Sequence, residues 1–209
     1  MSLENDLFRR LRPNIQRLVE YGFIEQSGIY YYQTKLEDSG MYALITVDNS
    51  TVSGKVMDEF TDEEYVAVHT VGKKGNFATK VRTAYLSCLE DIARNCFEKM
   101  MYSSDQANVM HEWMINQFHD TADHPFTKSQ NSKRTVDNDF TAYKPSGCDK
   151  MYALMFTIEK RKLDKACDET LIDAINIKVE PSTVVDLLQL PGFYPAYHMN
   201  KKHWVTAIL

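Results

Sequence analysis

Long hydrophobic runs are missing from this chain of 209 residues. No apolar stretch approaches the roughly 18 residues that a membrane-spanning helix needs. The opening residues, MSLENDLFRRLRPN, contain no apolar secretory core. The expectation is therefore a cytoplasmic protein with no membrane partner. Basic charge is not in excess: 24 Lys and Arg stand against 29 Asp and Glu, for a net charge of −5, and neither half of the chain is basic. Non-specific nucleic-acid binding draws on Lys and Arg that neutralise phosphates, so any such binding must use a local patch. Cysteine is scarce. Cys88, Cys96, Cys148 and Cys167 form no CxxC pair and no zinc-finger or disulfide spacing. Cys88 and Cys96, eight apart in a helical pattern, share one face and read as buried apolar thiols. No GxSxG, HExxH or paired catalytic carboxylate pattern occurs, and Gly72-Lys73-Lys74-Gly75 lacks the GxxxxGK[ST] order of a phosphate loop. Nothing in the chain supports an enzyme or a cofactor.

What is present describes a globular protein. Hydrophobic residues make up 44% and charged residues 25%, enough for one large domain or two small ones. Phe8, Leu11, Ile15 and Leu18 recur at helical spacing, with Pro13 as the weak point, where a helix starts or kinks, and Gly22 as the stop. Four short strands follow, at Ile29–Thr34, Met41–Val47, Val52–Met57 and Tyr65–His69, joined by turns rich in Gly, Asn, Asp and Ser. A long amphipathic helix begins near Asn76, with the stripe Phe77, Val81, Ala84, Cys88, Ile92 and Cys96. Residues 1–100 thus read as an α-β-β-β-β-α domain.

A second unit is expected over residues 103–209. Ser103 and Ser104 are N-cap candidates for a helix whose inner face is Ala107, Met110, Met114 and Phe118. Strands are expected around Phe140–Tyr143 and at Met151–Ile158, Ala174–Val179 and His203–Leu209, with a short helix after Pro181. Residues 191–195 read as an irregular aromatic loop. The terminal strand is expected to leave a sheet edge open unless something covers it. The fold class is then α+β: two units, each an antiparallel sheet with helices packed on one face.

The most distinctive stretch is PGFYPAYHMNKKHWVTAIL, residues 191–209. Tyr197, His198, Met199, Asn200, Lys201, Lys202, His203 and Trp204 follow in order the signature of the MmcQ/YjbR family: a Pro-aromatic loop, a His-(Met or Leu)-Asn-Lys-x-His-Trp run, then a strand. Lys150, Ala153 and Leu154 match that family's KxxAL region. The chain therefore resembles a two-domain member over residues 103–209, and more diffusely before that. The resemblance implies a secretion-chaperone-like α+β domain in the second unit. It also implies a short turn and a C-terminal helix that this chain does not reach, so the unit is expected to be truncated. The family carries a DNA-binding label that rests on a double-wing shape.

Two main readings of this run stay open, beside a third in which His198 and His203 serve an enzyme, a small ligand or a metal. In one, Lys201 and Lys202 contact phosphate, Asn200 bonds a base or phosphate, Trp204 or Tyr197 stacks on a base, and His198 and His203 assist. In the other, Trp204 is core and the histidines and Asn200 hold the loop together. The basic cluster Lys160, Arg161 and Lys162 would add a second phosphate contact if it lies beside Lys201 and Lys202. The acidic run Asp58, Glu59, Asp62, Glu63 and Glu64 would repel DNA. His198 and His203 lack a third metal ligand. His119, Asp120, Asp123 and His124 read as a solvated helix end. The partner is thus expected to be DNA through a local basic patch, or else a protein partner or second copy meeting a sheet edge.

Overall fold

Pro13 decides the N-terminal path. The apolar spacing predicts one helix, but a computed structural model, which describes residues 2–70, 75–119, 121–123 and 140–209, shows three elements there. They are α1 (Leu3–Phe8), β1 (Leu11–Pro13) and α2 (Ile15–Tyr21). Pro has no N–H to donate and biases the residue before it toward extended backbone, so the helix cannot run through. Asn14 then restarts it as N-cap, its Oδ1 accepting the Arg17 N–H at 3.2 Å. Gly22 ends α2 in the left-handed region, at φ 117°.

The chain divides into two units, Met1–Met101 and Tyr102–Leu209. The first continues with β2 (Ile24–Gln26), β3 (Ile29–Leu36), β4 (Met41–Asp48), β5 (Thr51–Asp58), α3 (Asn76–Cys96) and β6 (Phe97–Lys99). Strands β2-β3-β4-β5 form an antiparallel meander in that order, and β6 pairs back with β1. Alternation along β4 sends Met41, Ala43, Ile45 and Val47 inward. Against them lies the α3 stripe of Val81, Tyr85, Leu89, Ile92 and Cys96. Phe77, expected on that stripe, is exposed.

The expected strand at Tyr65–His69 is instead a 3-10 turn over Val66–Val68, anchored when the Tyr65 N–H donates to Val56 O at 2.7 Å. The fourth strand is β2. It is formed by the two-residue turn Ser27-Gly28, both at positive φ, which matches strand twist.

The second unit holds α4 (Asp105–Phe118), β7 (Thr121–Asp123), β8 (Thr141–Lys144), β9 (Ala153–Glu159), β10 (Leu171–Lys178), α5 (Pro181–Leu187), β11 (Phe193–Pro195) and β12 (Trp204–Ile208). The sheet order is β11-β12-β10-β9-β8-β7. Two expectations are corrected. Residues 193–195 are a strand rather than irregular loop. That strand covers β12, so the terminal strand is interior and offers no edge for pairing.

One sheet face carries Ala142, Leu154, Phe156, Ile158 and Ala174 as a core, flanked by Phe140, Met151, Leu163, Ile172 and Tyr197. The other face meets α4. There the buried Asp173 carboxylate accepts the Ser103 and Ser104 N–H groups at 2.7 and 2.8 Å and the Thr157 hydroxyl at 2.6 Å. Three donors, two of them at a helix N-terminus, compensate the charge.

Candidate nucleic-acid interface

Residues 196–203 are pinned to the sheet by two buried neutral side chains. Asn176 on β10 lies directly opposite Thr206 on β12, and both are fully buried. The Thr206 hydroxyl donates to Asn176 Oδ1 at 2.5 Å. Asn176 Nδ2 donates to the Tyr197 carbonyl at 2.8 Å, and the Tyr197 N–H donates to Thr206 Oγ1 at 2.9 Å. The three bonds close a ring that draws the loop over the sheet. Tyr197 then packs on Phe156 with ring centroids 5.7 Å apart, and Phe156 stacks on Phe140 at 5.3 Å. Burial, with the charge of Glu159 second, raises the Tyr197 hydroxyl above its usual value.

The turn that follows is held by its own backbone. His198 sits at φ 55° with its ring 4.1 Å from that of Tyr197. Asn200 Oδ1 accepts the Lys202 N–H at 3.0 Å, the Asn200 carbonyl accepts the His203 N–H at 3.0 Å, and the His203 carbonyl accepts the Val179 N–H at 2.9 Å. Asn200 therefore shapes the turn. Lys201 and Lys202 are exposed. Among the described residues no carboxylate lies within ion-pair distance of either ammonium group. Trp204 is 7% exposed, so its indole face is core and closed to a base. Tyr197 and His203 are half-buried.

The other basic cluster lies elsewhere. Lys160, Arg161 and Lys162 form a 3-10 turn after β9. Arg161 is spent on acids: its Nε donates to Glu159 Oε2 at 2.9 Å and its Nη1 to Glu169. Lys162 Nζ is 3.9 Å from Glu159. In the register, Glu159 pairs with Leu171 at the start of β10, whereas Trp204 pairs with Lys178 at its end. At about 3.3 Å per residue, those ends are roughly 23 Å apart. The two clusters do not form one positive face.

The same register assembles a group that sequence reasoning missed. Lys178, exposed, sits beside Trp204. Its N–H donates to the Tyr152 carbonyl at 2.8 Å, two residues from exposed Lys150. Lys144 ends β8 at the same level, because Tyr143 pairs with Ala153. Lys144, Lys150, Lys178, Lys201 and Lys202 thus share one end of the sheet, with Asp149 and Glu180 close to Lys150 and Lys178 in sequence and Lys144 engaged with a partner of its own. Strands β8, β9, β10 and β12 lie about 4.8 Å apart, so the lysines span roughly 14 Å. Each lies within three residues of an expected strand end, but only the pairing shows that the ends coincide.

Other expected sites are placed differently. Residues 71–74 lie outside the described residues, as do Asp120 and His124, and with them most of the Gly72–Gly75 loop and half of the His119 cluster. Among the described residues no group of three or more His, Cys, Asp or Glu is placed to hold a metal ion, and no helix is long and apolar enough to cross a membrane. His111, which drew no attention in the sequence, has Nδ1 2.6 Å from the Tyr143 hydroxyl, with the Tyr102 hydroxyl 3.4 Å beyond. Burial first, then Tyr102, holds Tyr143 above the usual phenol range.

No family model matches this chain, and no curated protein does. Among solved structures, it is 33% identical to a Pseudomonas syringae protein seen by crystallography, over 51% of this chain and 81% of that one, with a TM-score of 0.42. A solution NMR structure from the same organism is 33% identical over 51% of this chain and 76% of that one, with a TM-score of 0.40. A Deinococcus radiodurans protein with a DUF419 domain is 25% identical over 47% of this chain and 59% of that one, with a TM-score of 0.31.

Proposed function

We propose that the second unit is a nucleic-acid-binding module of the MmcQ/YjbR type, and that it grips phosphates with the lysine end of its sheet. The observation that carries this reading is the clamped turn, which holds Lys201 and Lys202 in solvent at the same end as Lys178 and the β8–β9 lysines. Lysine is a point charge suited to phosphate, a phosphate contact carries no base identity, and Trp204 and Tyr197 are engaged in packing. The reading is therefore of weak, sequence-tolerant DNA binding with no catalytic step. Residues 1–100 and 103–209 act as separate domains in this proposal, and the protein works in the cytoplasm. Arg161 drops out of the contact set, because phosphate binding there requires breaking its pairs with Glu159 and Glu169.

The test is a salt titration of affinity for a labelled DNA duplex, read by fluorescence anisotropy. Log affinity should fall linearly with log salt, and replacing Lys201 and Lys202 together by Gln should reduce the slope by about 1.8, or roughly 0.9 per phosphate contact. Arg161→Gln should leave the slope unchanged. A slope insensitive to the double substitution would sink the proposal.

A further inference from the structure

We infer that the first unit binds an extended basic peptide along an uncovered length of β3. This goes beyond the nucleic-acid reading: it concerns another unit and another kind of partner. It rests on three observations.

The first is an unpaired strand edge. The Ser27-Gly28 turn closes on the pair Gln26–Ile29, which exchanges both backbone bonds in such a hairpin. Hydrogen-bonding direction alternates along an antiparallel strand. Ile29, Tyr31, Gln33 and Lys35 therefore aim their N–H and C=O groups toward the β2 side. Strand β2 ends opposite Tyr31, at Ile24. Before it the chain leaves the sheet, the Phe23 N–H turning back to Leu18 O at 3.0 Å. Gln33 and Lys35 are exposed, and their outward backbone groups face no strand among the described residues. The opposite edge is better covered, since Val56 and Asp58 bond Tyr65 and Glu63. Natural sheets shield such edges, and an open one is a template for an added strand.

The second is a cleft of about 350 Å³ between that edge and the helices, lined by Tyr21, Tyr32, Thr34, Ser87, Cys88 and Asp91. An added strand points every second side chain into it. The Tyr21 and Tyr32 rings, 5.2 Å apart, form one wall.

The third is charge. The cleft carries the carboxylates of Glu37 and Asp91. Asp91 Oδ2 accepts the Tyr21 hydroxyl at 2.7 Å, and Arg94 lies 3.7 Å from its Oδ1. The one lining cation, Lys35, turns away to Glu59 at 3.0 Å. A lysine or arginine at the central inward position complements this wall.

The test titrates the isotope-labelled full chain with the capped pentapeptide Val-Thr-Lys-Thr-Val, its central-glutamate counterpart, and a backbone N-methylated form. The Gln33 and Lys35 amides should shift, saturate with a Kd below about 1 mM, and gain exchange protection with the lysine peptide. The N-methylated form should not bind. Asp91→Asn should narrow the lysine-over-glutamate preference, by up to about fivefold. Lys35→Pro removes an outward N–H together with the exposed pair to Glu59 and should abolish binding, whereas Lys35→Gln, which loses the pair alone, should still bind. The inference fails if these amides are unmoved by all three peptides, or if the N-methylated peptide binds equally. It also fails if the amides are already protected in the free protein and lose that protection on dilution, because the occupant is then a second copy of the chain.

Discussion

Thr206→Val is the sharpest probe of how the lysine turn is held. Valine fills nearly the same volume but carries no hydroxyl. It strands two buried groups at once: the Tyr197 N–H, which donates to Thr206 Oγ1 at 2.9 Å, and Asn176 Oδ1, which accepts from it at 2.5 Å. A buried polar group left without a partner costs about 1–3 kcal/mol. Partial relaxation of the loop tempers the sum, so the expected loss is roughly 2–4 kcal/mol. Trp113 and Trp204, the two tryptophans of the chain, both lie in the second unit, so tryptophan fluorescence in a urea titration reports on that unit. The Tyr197 amide should also exchange faster. Asn176→Leu removes the other partner, and the double variant should cost less than the two single changes added, because the stranded groups are shared. A Thr206→Val loss below about 0.5 kcal/mol, or strict additivity in the cycle, would refute the clamp.

Other expectations follow from the first unit. A Cβ on Gly54 would lie 2.0 Å from the Tyr85 hydroxyl, so Gly54→Ala should destabilise by about 1–3 kcal/mol, measurable as a lower Tm. Tyr85→Phe leaves the buried Glu4 carboxylate without the phenol that donates to it at 2.5 Å and should cost about 1.5–3 kcal/mol by the same assay. Desolvation first, then Asp91, pushes the Cys88 and Cys96 thiols up to about 11. Near neutral pH a thiol reagent should therefore modify exposed Cys148 well before either, as peptide mass mapping would show. The Phe60 and Thr61 N–H groups hold the Asp58 carboxylate below the usual aspartate range. The contribution of that turn is present above the ordinary value and lost as pH falls through the folded one, so its amides should lose protection only in acid.

Elements with strong local signals were legible from residues alone. Alternation in β4, the 3.6-residue stripe of α3, the Ser104 cap and Pro181 at a helix start each act through neighbours in sequence. Where local signals conflicted, reading failed. Pro13 was legible as a helix start or kink, but the short strand β1 that it ends was not, and the Ser27-Gly28 turn signal was passed over, so β2 was missed. Within the candidate site, the exposed Lys201-Lys202 turn was legible as turn chemistry. The burial of Trp204 was one of two open readings, because an aromatic at a strand start gives no sign of its face.

The chain alone determined the number and kind of most elements, because helix and strand periods, caps and turns are short-range properties. Tertiary pairing decided which ends meet. It moved Lys160–Lys162 to the far end of the sheet, brought Lys144, Lys150 and Lys178 beside Lys201 and Lys202, and enclosed the last strand between β11 and β10. The reason is that strand register is set between segments far apart in sequence, through hydrogen bonds and shared burial that no local pattern encodes.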